Sequence, residues 1–288
     1  MGCTLVIDTS YGSTVGVVGR EPIVETDSRT HVERLQVNIA RAVSEAGYGP
    51  HDIGTVVVGL GPAPFTGLRA GIVAAKAIAF AAGAKLIGQN VLEPQVQWNL
   101  IRRAKAGTLG DPANLHVLTL AVNDARRKQL YFELCDSPLA GGDVTAAEAA
   151  EAAEAFTDGT AAATAATPAR PLIDMDIDYP ASIVERVNRA VRDYRDHVGG
   201  DVVVDVIGHG AGKYTDALAG IEHLGDVTDE SVLDGGKQGL SVFATDATLA
   251  HERNPEAPVE PLYLRRPDAE IPAPLKHVLG HAGAERTA

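Results

Sequence analysis

The chain is short of cysteine and of aromatic residues, and each shortage excludes a class of protein. Its two cysteines, Cys3 and Cys135, are too few for a disulfide framework or, by themselves, for a zinc cluster. Both lie in apolar, strand-like stretches, which predicts two buried thiols. Aromatic residues make up 5% of the 288 residues, so the core is expected to consist of Val, Leu, Ile and Ala.

Positive charge and long apolar runs are also scarce. The chain has 25 Lys and Arg against 38 Asp and Glu, a formal net charge of -13. Because phosphate contacts need Lys and Arg, this balance opposes direct binding of nucleic acid, and any RNA is expected to be held by a partner. No stretch reaches the roughly 18 apolar residues of a membrane span. The first ten residues have no basic start followed by a cleavage site. We therefore expect a cytoplasmic protein without a membrane contact.

What the sequence does contain is a regular succession of strands and helices. Three short strands, Thr4–Asp8, Thr14–Val18 and Ile23–Asp27, are predicted to form an antiparallel meander. Thr30 and Glu33 then fit a capping box, since a hydroxyl is followed three residues later by Glu. An amphipathic helix is expected to begin there.

The next helix, predicted from Thr66 to Ala82 after a buried strand at Thr55–Leu60, is dominated by Gly and Ala. Arg69 and Lys76 are its only charged residues. A helix that is apolar nearly all round is expected to be buried nearly all round. Covering one sheet face requires one apolar side, so the pattern predicts an additional packing partner.

A strand at Lys85–Gly88 and a helix at Glu93–Ala104 complete the order of an RNase H-like half-domain. A looser copy follows. Leu118–Val122 and Leu130–Cys135 are predicted to form a hairpin, and Asp201–Ile207 is predicted to be a buried strand that ends in a glycine loop.

The second half also contains a predicted helix and an Ala-rich insertion. Ser182 and Glu185 fit another capping box, which opens an amphipathic helix. Residues 137–170 contain 14 alanines among 34 residues and are predicted to form a peripheral or mobile insertion, with a helix at Thr145–Ala155. We therefore expect an N-terminal lobe with interface helices at residues 1–105, a C-terminal lobe at residues 106–270 and a disordered tail at residues 271–288.

Five strings in the chain resemble the TsaB (YeaZ) family. They are Leu5–Ser10, His31–Leu35, Gly61–Arg69, Asp124–Arg127 followed by Tyr131, and Pro261–Arg265. The resemblance is specific over residues 3–135 and patchy afterwards. The family's loop usually reads Gly-Pro-Gly-Ser-Phe-Thr-Gly-Leu-Arg. Here Ala63 and Pro64 replace the second Gly and the Ser, so a role for that serine does not carry over.

The resemblance implies an α/β, two-lobed fold of the acetate kinase, sugar kinase, Hsp70 and actin class. It also implies a non-catalytic subunit that pairs with TsaD, the paralogue that transfers the threonylcarbamoyl group to adenosine 37 of tRNA. A TsaE-like ATPase joins that complex, and tRNA is contacted indirectly. Family members form homodimers, or pair with TsaD, through two helices of the first lobe. The interface residues expected on this basis are Val32, Leu35, Gln36, Ile39, Leu68, Arg69, Ile72, Ala75 and Lys76.

Histidine placement bears on catalysis. A catalytic paralogue in this superfamily would carry a metal-binding His-x-x-x-His after the small-residue helix, and Val91 and Gln95 stand in approximately those places. A metal there would lack its nitrogen donors, so we expect neither a metal nor another cofactor in this subunit. His277 and His281 have the spacing of metal ligands, but no third ligand is evident nearby.

Two glycine loops keep a second hypothesis open, an ATP-binding or ATP-hydrolysing enzyme of the same fold. One loop follows a strand and contains Asp8 and Ser10. The other contains Gly208 and Gly210 and is able to present backbone N–H groups to an anion. Lys213 is not a Walker lysine, because the GxxxxGK[ST] frame is missing. The scaffold hypothesis is preferred, with ATP expected only in the assembled complex.

Overall fold

The computed structural model describes residues 2–27, 30, 32–110, 115–136 and 169–265. Within these ranges ten strands and six α-helices form two five-stranded sheets with helices packed against them. Some predictions fall outside the described residues. They concern His31, the helix at Thr145–Ala155, almost all of the Ala-rich insertion, and the tail with His277 and His281.

The first sheet contains β1 (Cys3–Asp8), β2 (Ser13–Val17), β3 (Ile23–Glu25), β4 (Ile53–Gly59) and β5 (Lys85–Gln89). Its strand order is β3-β2-β1-β4-β5. The first three strands are antiparallel neighbours, while β4 pairs in parallel with both β1 and β5. The predicted meander and the order of the elements are confirmed.

Helices α1 (Leu35–Glu45) and α2 (Phe65–Ala82) pack into one core with this sheet. The capping box predicted at Thr30 is wrong. Residues 32–34 form a turn and a bend, and the position before α1 is Arg34, whose side chain makes no capping hydrogen bond. The helix instead begins at Leu35, an apolar residue that is 2% exposed. The first turn of α1 is therefore held by packing of Leu35 in the core and not by a capping hydroxyl group.

The prediction that α2 is buried nearly all round is also wrong. Its inner face, with Leu68, Ile72 and Ala75, is buried in the first core. Its outer face is exposed over its length, and there Val73 is 65% and Phe80 91% exposed. The small residues therefore bring one side of the helix close to the sheet and leave the other side open.

Gly71 lies at a point where α2 comes close to the end of β1. A Cβ atom at this position would lie 2.3 Å from Oγ1 of Thr9, just beyond β1, so a larger residue would push the helix outward. By length and composition alone α2 could cross a membrane. Its inner face is buried in the first core, as in other helices that cover a sheet.

The second sheet contains β6 (Leu115–Asp124), β7 (Leu130–Asp136), β8 (Arg170–Asp178), β9 (Asp201–Ile207) and β10 (Leu224–Thr228). Its order, β8-β7-β6-β9-β10, repeats that of the first sheet. The predicted β6–β7 hairpin and the buried strand β9 are confirmed. Strands β8 and β10 were not predicted. Strand β8 alternates acidic and apolar residues over its second half, β10 is only five residues long, and neither strand contains a fully buried residue.

Helix α4 (Pro180–Val198) and the short helix α5 (Thr215–Leu218) cover one face of the second sheet. The apolar stripe predicted for α4 is buried at Val187, Val191 and Tyr194. Its predicted capping box is wrong, because the helix begins two residues before Ser182, at Pro180. Proline suits a first helical position because its fixed φ is already helical and its missing N–H would have no partner.

Helix α6 (Gly236–Arg253) packs against the other face of the first sheet, where Val6, Val57 and Ile87 join its core. Helix α3 (Glu93–Ala106) contacts α6 and also strands β6 and β9 of the second sheet. Helix α6 thus lies on the first sheet although it follows the second one in the chain. The last described segment also returns there, as the Leu262 N–H donates to the Leu60 carbonyl over 2.8 Å. The lobe boundary predicted at residue 105 therefore separates the strands of the two sheets, but helix α6, which follows the boundary, packs on the first sheet.

A buried ion pair fastens α3 to the second sheet. Arg103 on α3 pairs with Asp205 on β9, and Asp205 is 1% exposed. Nη2 of Arg103 donates to Oδ1 of Asp205 over 2.8 Å, and Asn99 donates to the other carboxylate oxygen over 2.8 Å. Burial alone would raise the pKa of Asp205, but the hydrogen bonds from Arg103 and Asn99 hold it below its ordinary value.

We predict that Arg103→Met destabilises the protein by about 3 to 5 kcal/mol, because it leaves the Asp205 carboxylate buried without its counter-ion. The exposed pair Arg41–Glu45 supplies the control, and Arg41→Met is expected to cost less than about 1 kcal/mol. Urea unfolding followed by the fluorescence of the single tryptophan, Trp98, measures both changes. Equal midpoints for the two variants would contradict the assigned role of the pair.

Candidate functional site

The candidate site is the cleft at which the C-terminal ends of strands from both sheets meet. Asp8 ends β1 and Asp124 ends β6, and a glycine-containing loop follows β1 and also β9. Open α/β folds bind ligands outside the carboxyl ends of their strands. The two loops predicted from the sequence do face the same space, since Asp8, Ser10 and His209 line one cavity.

The carboxylate of Asp8 is held by its own loop. Its Oδ2 accepts from the Ser10 N–H over 3.1 Å and its Oδ1 from the Ser10 hydroxyl over 2.7 Å. Burial raises the pKa of Asp8, and the bonds from Ser10 and the nearby His209 oppose that rise. Gly59 makes the arrangement possible, because a Cβ there would lie 2.0 Å from Oδ1 of Asp8.

An aromatic stack closes the inner cleft. The rings of Tyr11, after β1, and His209, after β9, lie 3.9 Å apart at an angle of 18°. Nε2 of His209 also lies 2.7 Å from Oδ2 of Asp234. In the same loop the Gly210 N–H donates to Asp229 over 2.8 Å. In the second glycine loop, the His209 ring and the Gly210 N–H are therefore both engaged by other residues of the protein.

The space left behind this stack is small. The inner cavity, lined by Asp8, Ser10, Gln95, Asn123 and His209 among others, has a volume of about 20 Å³. That volume holds about one water molecule, whereas pockets for drug-sized ligands measure roughly 300 to 1,000 Å³. The inner cleft in this conformation is too small for a nucleotide.

The two positions where a catalytic paralogue would hold a metal serve the packing of α3. Val91 is 7% exposed and belongs to the core between α3, α6 and the first sheet. Nε2 of Gln95 donates to the Val91 carbonyl over 3.1 Å, and its Oε1 accepts from the Val232 N–H over 2.9 Å. These residues do not fit a metal. Across the described ranges no group of three or more His, Cys, Asp or Glu is arranged to hold one.

A network of amides and carboxylates surrounds the start of α3. Glu93 is the first residue of the helix, as predicted, and its N–H is capped by Oδ1 of Asn90 over 2.8 Å. Gln89 donates to Asp246 on α6 over 3.2 Å. Burial, with repulsion from Glu93, raises the pKa of Asp246 to about 8, and the same causes raise that of Glu133 to about 7.

A second, outer cavity of about 220 Å³ opens beside the first turn of α2. Its walls come from both lobes and are lined by Thr9, Ser10, Tyr11, Gly12, Pro64, Phe65, Thr66, Gly67, Asp124 and Arg126. At its rim the Arg69 guanidinium carbon lies 3.6 Å from the centre of the Phe65 ring, and Nε of Arg69 donates to the Tyr263 hydroxyl over 2.6 Å. The two rings stack 5.1 Å apart.

The expected interface residues divide by exposure. Five of the nine lie in the first core and cannot contact a partner directly, namely Leu35, Ile39, Leu68, Ile72 and Ala75. That part of the assignment is corrected, since acidic substitutions there would break the core. Val32 is half-buried, and Gln36, Arg69 and Lys76 are exposed. An interface role for these four stays a prediction.

Sequence reasoning missed the residues that close and flank the cleft. The Tyr11–His209 stack joins residues far apart in the chain, and nothing in either local sequence signals it. The Phe65–Arg69 contact had a signal, because residues four apart share a helix face.

Comparisons with known proteins extend over most of the chain. Residues 22–273 match the family model described as TsaD, tRNA N6-adenosine threonylcarbamoyltransferase. An uncharacterized Mycobacterium tuberculosis protein is 36% identical over 196 residues, which is 65% of this chain and 85% of that protein. The tRNA N6-adenosine threonylcarbamoyltransferase of Desulfitobacterium hafniense is 31% identical over 111 residues, which is 38% of this chain and 30% of that enzyme.

Among solved structures, YeaZ from Pseudomonas aeruginosa is similar with a TM-score of 0.55 and 19% identity, covering 92% of this chain and all of that one. A second structure, described as an uncharacterized protein with similarity to peptidase YEAZ from the same organism, gives a TM-score of 0.54 at 20% identity. These likenesses concern the fold, and the expected two-lobed, actin-like α/β fold is confirmed.

The raised pKa of Asp246 yields a prediction of pH-dependent stability. The folded protein holds a proton on Asp246 up to about pH 8, whereas an unfolded Asp loses it near pH 4. The contribution of this protonated Asp246 to the unfolding free energy is therefore complete below about pH 4 and is lost as the pH rises towards 8. We expect Asp246→Asn to flatten the decline in unfolding free energy between pH 5 and 8, as measured by urea denaturation. Asp196→Asn, at an exposed site on α4, is the control. Parallel curves for wild type and Asp246→Asn would refute the assignment.

Proposed function

The chain belongs to the family described as TsaD, tRNA N6-adenosine threonylcarbamoyltransferase, and from that premise we propose that it is a TsaB-like, non-catalytic subunit. It binds a catalytic TsaD-like paralogue and keeps it competent to make N6-threonylcarbamoyladenosine at position 37 of tRNA. It acts in the cytoplasm, where a TsaE-like ATPase joins the complex. In the absence of these partners it pairs with a second copy of itself.

The outer face of α2 is the observation that carries the proposal. Val73 and Phe80, 65% and 91% exposed, lie on the same face of the helix, and Val37 on α1 is 66% exposed. Both helices cover the same sheet face. Large apolar side chains left open on adjacent helices are typical of a surface that a protein partner covers.

The positions after α2 support a non-catalytic role. Val91 and Gln95 stand where a catalytic paralogue would place its metal ligands, and both are engaged in packing α3. Restoring two histidines there would remove a core residue and the amide that holds the Val232 N–H. The chemistry is therefore assigned to the partner.

We predict that Val73→Glu/Phe80→Glu abolishes co-elution of the purified chain with the TsaD-like protein of the same organism on size-exclusion chromatography with light scattering. The variant should remain folded, because both side chains are largely exposed. The control is Tyr179→Glu/Val198→Glu, which changes two exposed apolar residues at the ends of α4 and should leave the complex intact. An unchanged complex in the Val73/Phe80 variant would exclude this face as the interface.

The alternative is an ATP-binding or ATP-hydrolysing enzyme of the same fold, favoured by the meeting of Asp8, Ser10 and His209 at one cavity. The closed stack of Tyr11 on His209 and the small inner volume oppose it. We expect calorimetric titration of the isolated chain with ATP and Mg²⁺ to give no saturable heat. Binding that persists in wild type and is lost on Asp8→Asn would favour the enzyme.

A further inference from the structure

The outer cavity and its rim concentrate positive charge in an otherwise acidic protein. Arg126, Arg127 and Lys128 occupy the β6–β7 turn and are exposed. Arg265 lies beside this turn, as its Nη2 donates to Gln129 over 2.7 Å. Arg69 on α2 lies over the ring of Phe65, which lines the same cavity.

The one carboxylate among the residues that line this cavity is engaged by its neighbours. Oδ1 of Asp124 accepts from the Arg126 N–H over 2.9 Å, and its Oδ2 lies 3.3 Å from Nζ of Lys213. Asp124 is 7% exposed. The solvent-facing charge at the mouth is therefore positive, although the formal net charge of the chain is -13.

The backbone of the turn keeps its basic side chains at the surface. Arg126, Arg127 and Lys128 have φ values of 62°, 51° and 63°, a left-handed conformation that residues with a Cβ rarely adopt. The Ala125 N–H donates to the Gln129 carbonyl and closes the turn over 3.1 Å. Glycine or asparagine would adopt this conformation more easily, so the backbone conformation does not account for long cationic side chains at these positions.

Aromatic rings stand next to this charge. Phe65 and Tyr263, 51% and 45% exposed, stack with Arg69 at the rim, and Tyr11, 41% exposed, lines the cavity wall. Exposed rings beside Lys and Arg are the combination that binds single-stranded nucleic acid, because bases stack on the rings while phosphates meet the cations.

We propose that this surface, formed by Phe65, Arg69, Arg126, Arg127, Lys128 and Tyr263, binds a single-stranded loop of tRNA directly. The inference deepens the proposed function, since it gives the subunit its own contact with the RNA that the complex modifies. It also separates two surfaces on α2. The first turn and Arg69 serve the RNA, while Val73 and Phe80 further along the helix serve the protein partner.

The test is fluorescence anisotropy of a labelled, unmodified anticodon stem-loop RNA with the full chain alone at several KCl concentrations. We expect salt-sensitive binding that Arg126→Glu/Arg127→Glu weakens at least about tenfold, with a salt slope lower by about 2. Phe65→Ala should weaken binding about tenfold through lost stacking, while Phe65→Tyr should retain it.

The charge-matched control is Lys85→Glu/Arg192→Glu. Lys85 begins β5, and Arg192 on α4 pairs with Glu222 just before β10, so both lie near the strand ends that point away from the cleft. This control should bind RNA as the wild type does. No RNA binding by the wild type, or equal loss in the control and the Arg126/Arg127 variant, would overturn the proposal.

Two competitors identify the occupant. Displacement of the RNA by ATP or by an acidic peptide at comparable concentration would reassign the surface to a nucleotide or to an acidic protein segment, against the proposal. RNA binding by a chain that fails to co-elute with the TsaD-like protein would support this inference and refute the proposed pairing. The two hypotheses therefore fail separately.

Discussion

The buried pair of Arg103 and Asp205 is the interaction on which the relation between the two sheets depends. Helix α3 follows the last strand of the first sheet, and the pair fixes its second half to β9 of the second. At the other end of the same helix, Gln95 holds the segment that leads into α6. Because α6 packs on the first sheet, one helix connects both lobes through a charge and an amide that have little access to water. We therefore expect a substitution of Arg103 or of Gln95 to alter the cleft between the lobes as well as the core.

Three polar side chains at the cleft are each engaged by another group of the protein. Asp8 bonds to Ser10, His209 stacks on Tyr11, and Gln95 bonds to Val232. Each group is of a type that could meet a nucleotide or a metal, yet each contacts the protein itself. The charged and apolar groups left for other molecules lie outside, at the mouth of the cleft and on the outer face of α2. Function on this fold is thus argued from exposed groups rather than from the position of its loops.

Much of the fold could be predicted from the sequence, because its signals are periodic. The apolar runs of β4 and β9 and the glycine-and-alanine helix were placed within one or two residues. Both capping boxes failed, since the residues that start α1 and α4 are an apolar core contact and a proline. The candidate site was harder to predict from the sequence. Periodicity does not tell which side of α2 faces the sheet, and contacts such as Arg69 with Tyr263 join residues far apart in the chain.

The return of α6 and of the segment around Leu262 to the first sheet has a consequence for biosynthesis. The strands of that sheet leave the ribosome first, but one of its faces is covered by residues 236–253, which are made much later. The backbone bond from Leu262 to Leu60 forms later still. Until then Val6, Val57 and Ile87 lack most of their apolar neighbours, a state in which nascent chains are prone to aggregate. We therefore expect the emerging first lobe to need protection from aggregation until nearly the whole described chain has been synthesised.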